Sequence, residues 1–153
     1  MNAAQLHLFF SHFPIVGLAF AVLVTIYSIF NKNHELARLS LWFYVILGLF
    51  ALLAYLTGDD AEKIMETYPG ITEDIIEPHE NIALFFFIGL MITAGIALTG
   101  LYVSKTKETL LKRFTVILLI GGILLGILAG ITGSTGGAIR HSEIKQGIYL
   151  KGK

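Results

Sequence analysis

The chain has 153 residues, 55% hydrophobic and 14% charged, with a mean hydropathy of +0.74, whereas about a quarter of the residues in ordinary soluble domains are charged. That balance excludes a water-soluble globular enzyme. Eleven Lys plus Arg offset eleven Asp plus Glu, so no basic surface is available for a phosphate backbone and nucleic acid is excluded as a partner. The absence of cysteine excludes disulfides, thiolate metal centres, iron–sulfur clusters and covalently attached c-type haem.

The predicted elements are four apolar runs, each near the 20 residues that a bilayer core about 30 Å thick demands. The first covers about 6–30, from Phe13 to Phe30 with an extension back across His12 and Ser11. A signal peptide is the other reading of this run, but residues 1–6 carry no Lys or Arg and the apolar part is too long, so it is taken as a spanning helix. The second run is 39–56, the third 82–103 and the fourth 114–133, followed by a polar tail, 134–153. The runs are continuous rather than alternating, which predicts helices rather than barrel strands. Short links make consecutive helices antiparallel neighbours. The expected fold is therefore a single all-α integral membrane domain, an up-down four-helix bundle embedded in lipid.

Between the second and third runs lies an acidic segment, 57–81. Asp59 and Asp60 open a stretch in which Ala61, Ile64 and Met65 recur at helical spacing, predicting a short interfacial helix that Pro69-Gly70 ends. A second short piece, 72–77, presents Ile75 and Ile76, and Pro78 suits the first turn of the third spanning helix. Burying these apolar residues predicts a cap over one end of the bundle. Six basic residues, Lys32, Arg38, Lys105, Lys107, Lys112 and Arg113, flank the first and third links, against five on the other side, four of them in the tail. The positive-inside rule then places both termini and the acidic segment outside.

Histidine is the residue type best able to carry chemistry here. His7 and His12 stand at the outer start of the first helix, His79 at that of the third and His141 beyond the fourth, with only His34 on the opposite side. His12 sits among Leu8, Phe9, Phe10, Phe13 and Ile15, surroundings in which a polar group is costly and commonly functional. The structural alternative is a bond to a backbone carbonyl freed by Pro14. His7 lies five residues earlier, about 140° away around a straight helix, and is equally an interfacial residue. His79 has Glu80 beside it, and His141 follows Arg140 and the glycine-rich stretch 133–137, which is expected to end the fourth helix. Gly122, Gly126 and Gly130 at four-residue spacing point to close helix packing more than to a cofactor slot. No Walker loop, Gly-x-Ser-x-Gly elbow or His-Glu-x-x-His pair occurs, so a hydrolase has no support.

Four segments, His7-Leu8-Phe9-Phe10-Ser11-His12-Phe13-Pro14-Ile15, Leu56-Thr57-Gly58-Asp59-Asp60-Ala61, His79-Glu80 and Gly136-Gly137-Ala138-Ile139-Arg140-His141, resemble the ordered signature of the bacterial four-helix membrane family filed as domain of unknown function 2231. Ser142 departs from it, standing where the family's pattern continues with glycine. Similar domains occur beside cytochrome-like modules, so the resemblance implies a redox setting in a bacterial inner membrane, with cytochrome or respiratory-complex subunits as partners.

Three functions then compete. One is a b-type haem protein, a redox carrier or accessory subunit rather than a stand-alone enzyme, because haem iron takes two imidazoles and no sulfur. Its expected axial pair is His12 and His79, with His7 and His141 available for a second haem and Arg140 for a propionate. The second is a copper or zinc site built from three or four of His7, His12, His79 and His141, with Asp59, Asp60 or Glu80 in or beside the coordination sphere. The third is a purely structural membrane subunit.

Overall fold

A computed structural model describes residues 1–105 and 108–141. Five helices follow one another in the described residues: α1 (Ala3–Phe30), α2 (His34–Leu56), α3 (Gly58–Met65), α4 (Glu73–Val103) and α5 (Glu108–Arg140). All except α3 are long and apolar enough to cross a membrane. The all-α architecture is the one expected, a bundle of four spanning helices with a short acidic helix between the second and third.

Local chemistry sets the helix starts. Asn2 and Gln5 cap α1 reciprocally, each backbone N–H donating to the other's side chain at 2.9 and 3.1 Å, which satisfies donors that no helical carbonyl can reach. Asn33 caps α2 through the Leu36 N–H. Only residues 31–33 join these two helices, and the turn is made with Lys32 in the left-handed region (φ 50°). That tight reversal forces α1 and α2 to run antiparallel.

The helices outrun the apolar runs, α2 beginning at His34 rather than 39 and α5 at Glu108 rather than 114, and two further segments differ in kind from those read in the sequence. Residues 73–77 are the opening turns of α4, not a separate piece, and Pro78 lies inside that helix rather than in its first turn. The carbonyl that Pro78 leaves without its donor, that of Asp74, lies on an exposed turn where water can bond it. The glycine-rich stretch 133–137 does not end α5, which continues to Arg140, with the His141 N–H still bonded to the Gly137 carbonyl at 3.1 Å. Residues 134–140 are therefore helix rather than tail, and residues 142–153 of the expected tail lie outside the described residues. At 1.5 Å per residue, the 31 and 33 residues of α4 and α5 span about 46 and 50 Å. Both are longer than a hydrocarbon core of about 30 Å, and residues 73–81 of α4 and 134–140 of α5 extend them at the end that carries His7, His79 and His141.

Around the bundle, α1 packs on α2, α2 on α4, α4 on α5 and α5 on α1, and α3 lies mainly against α1. Of the two diagonals, α2 and α5 touch whereas α1 and α4 scarcely do. The interior is built on Leu18, Leu41, Tyr44, Leu90, Leu111 and Leu118, all at or near zero exposure. At the opposite end, Arg38 donates to the Ser104 carbonyl at 3.2 Å and His34 pairs with Glu108 at 3.2 Å, tying the two short links together.

The three spaced glycines of α5 divide into two kinds. A side chain at Gly122 would collide with the Tyr44 hydroxyl and with Val22, so this glycine does serve close packing. Gly126 and Gly130 meet nothing and line a shallow groove between α1 and α5 beside Ile15, Ala19 and Val22. Gly122→Ala is therefore expected to cost about 1–3 kcal/mol by overpacking, whereas Gly126→Ala should leave stability unchanged or slightly raised, since alanine favours helix by about 1 kcal/mol. Thermal unfolding of the two variants in detergent checks the contrast.

Candidate ligand site at the histidine end

The last turn of α2 leaves carbonyls with no helical donor. The Ala54 carbonyl there, which already accepts from the Thr57 N–H at 3.2 Å and the Thr57 hydroxyl at 3.0 Å, also accepts a hydrogen bond from the Nδ1–H of His7 at 2.9 Å. The second turn of α1 is thus tied to the end of α2, and the His7 ring is half-buried at this junction. Its Nε2 is left available.

His79 reaches the same level from α4. Its Nδ1 lies 3.2 Å from the Thr135 hydroxyl of α5, and its ring rests on Gly136, where an added Cβ would fall 2.9 Å from Cε1. Thr132, Thr135 and Gly136 are spaced three and four apart and so share one face of α5. Thr132 is only 5% exposed, and its Oγ1 makes no hydrogen bond. His7 and His79 are close enough to feel each other's charge, although their helices lie on the open diagonal. The mouth of the bundle therefore holds two half-buried imidazoles from opposite helices and one orphaned hydroxyl beside them.

The other expected site residues are placed differently. His12 is exposed on α1, its Nδ1–H bonded to the carbonyl of Leu8 on its own helix. That carbonyl is not the one Pro14 frees, which belongs to Phe10, and the structure does not bring His12 to His79. His141 is exposed at the end of α5. Arg140 stacks its guanidinium over the ring of Tyr68, 4.4 Å from the centroid, a cation–π contact that fastens the end of α5 to the link between α3 and α4. Asp59 is exposed on α3, and the exposed Glu80 of α4 lies near Glu62 of α3. On the outer side of α3, Lys63 donates to Asp60 at 2.9 Å, and that bond holds its amine above the usual lysine range. Among the described residues no three His, Asp or Glu side chains converge as a metal ion requires.

Sequence reasoning missed Thr132, Thr135, Tyr68 and the Ala54 carbonyl. The signal for the first two was present, because threonines at i and i+3 with glycine at i+4 would share a face if α5 continued. It was hidden by reading those glycines as a helix end.

The fold and site define a four-helix integral membrane bundle with an imidazole pair at one mouth. The chain belongs to the family described as predicted membrane protein (DUF2231), whose model matches residues 3–144. No curated protein and no solved structure matches it.

Gly136→Ala should displace the His79 ring and lower the thermal midpoint, because the new methyl enters space that the imidazole holds. Gly58→Ala should do neither, since its Cβ would stand in ordinary contact, 3.9 Å from His7. Histidine ring resonances of the two variants in detergent, read with their melting curves, distinguish these outcomes.

Proposed function

We propose that this protein binds a b-type haem between His7 and His79 and serves as a membrane electron carrier or accessory redox subunit. The observation that carries the reading is the imidazole pair itself, brought together from diagonal helices with each Nδ1 engaged by the protein. Engaging that nitrogen is how proteins orient a ligating histidine and leave Nε2 to bond. Two imidazoles complete the coordination of an iron that arrives with four porphyrin nitrogens, whereas structural zinc asks four ligands of the protein and catalytic zinc three. The unpartnered Thr132 hydroxyl suits a mouth that takes a further group. Bound there, haem supplies one-electron redox chemistry. The chain's own part is to hold both rings half-buried and oriented through Nδ1. This reading replaces His12 by His7 in the expected pair.

Absorption spectra of the detergent-purified protein, oxidised and reduced, test the assignment. A low-spin bis-imidazole spectrum is expected, and His7→Ala or His79→Ala should each abolish it or turn it high-spin, while His12→Ala and His141→Ala leave it unchanged. Stoichiometric copper or zinc in place of haem would favour the metal-binding alternative. A protein with neither, in which His79→Ala only lowers thermal stability, would leave the structural-subunit reading.

The same proposal puts the histidine end on the outer side of a bacterial inner membrane, since the basic residues gather at the opposite links. Its electron partner is then a cytochrome or another respiratory subunit met at that face. A reporter fused after Lys153 should behave as external; activity of a cytoplasmic reporter there would reverse the orientation.

A further inference from the structure

Thr135 does more than touch His79. Its Oγ1 lies 3.0 Å from the Ile131 carbonyl and 3.1 Å from the Thr132 carbonyl, both acceptors only. A hydroxyl has a single hydrogen, and back-bonding to a carbonyl three or four residues earlier is its usual use inside a helix. With that hydrogen committed, the oxygen can face the His79 Nδ1, 3.2 Å away, only as an acceptor. We infer that Thr135 is a positioning residue that accepts from the Nδ1–H of His79 and so holds the ring in the tautomer whose Nε2 carries the free lone pair.

His7 reaches the same tautomer through a different group, the Ala54 carbonyl. The two rings are thus matched in protonation but not in the kind of acceptor, a backbone carbonyl shared with Thr57 for His7 and a side-chain hydroxyl for His79. An acceptor on Nδ1–H makes Nε2 more basic, so His79 is the one of the pair that a side-chain change can tune. Its consequence for a bound iron rests on the haem reading above; the tautomer itself does not.

The experiment therefore has two arms. In lipid nanodiscs, with histidine ¹⁵N-labelled and no haem supplied, the His79 ring of the wild type and of Thr135→Ser should show a protonated Nδ1 and an unprotonated Nε2. Thr135→Val, equal in size but without an acceptor, should shift the Nδ1 resonance and populate the other tautomer. A wild-type His79 protonated at Nε2, or a Thr135→Val ring identical to wild type, overturns the inference. In the haem-loaded protein, Thr135→Val should weaken the preference for ferric over ferrous iron about tenfold, an upward shift of about 59 mV in midpoint potential, and Thr135→Ser should restore it. An unchanged potential in haem-loaded Thr135→Val counts against the inference. A wild type that takes up no haem counts against the haem reading alone, and the nitrogen spectra still decide the role of Thr135.

Discussion

A polar group inside or at the edge of hydrocarbon has no water to fall back on, and the arrangement of this protein follows from where such groups find partners within the chain. Most backbone groups are satisfied by the helices themselves, and the buried hydroxyls of Thr25, Ser28, Ser40, Thr93 and Thr115 donate to carbonyls of their own helix. Helix ends are the exception, since their last carbonyls and first N–H groups have no helical partner. Side chains from neighbouring helices fill part of that need. The bond from Arg38 to the end of α4 is one such closure, and that from His7 adds a third donor to the Ala54 carbonyl at the end of α2. Each joins segments distant in sequence at a level that the membrane boundary sets.

The same requirement shapes the mouth of the bundle. α4 and α5 are too long for the hydrocarbon, so their turns beyond it need cover of a different kind. α3 packs mainly on α1, burying Ala61 while Asp59 and Asp60 stay at the surface. The stack of Arg140 on Tyr68 holds the end of α5 to the neighbouring link. Beneath this cover the contact between α2 and α5 leaves the other diagonal open. From the two helices of that diagonal, His7 closes on the end of α2 and His79 on α5.

Glycine has opposite meanings along one helix. At Gly122 it admits the Tyr44 ring to the bundle centre, and at Gly136 it gives the His79 imidazole a flat bed, so in both places a neighbour occupies the side-chain position. At Gly126 and Gly130 nothing does, and α5 presents bare backbone to the groove beside α1. Spacing alone cannot separate these cases, because it specifies the face of a helix and not what stands opposite.

Length and hydropathy by themselves determined four membrane helices, their antiparallel order, the short acidic helix over one end and the gathering of histidines there, because apolar run length against bilayer thickness is a local property of the chain. The interior boundaries of α4 and α5 escaped that reading: Pro78 is tolerated on an exposed turn, and the 133–137 glycines remain helical with Gly136 packed against His79. The choice of His7 over His12 as the partner of His79 also belonged to the tertiary structure. His12 has the more apolar sequence neighbours, but its ring is exposed and bonded within its own turn, while His7 looks interfacial until the end of α2 is placed beside it. Which imidazole enters the mouth depends on a carbonyl 47 residues away, and only the packing of α1 against α2 brings the two together.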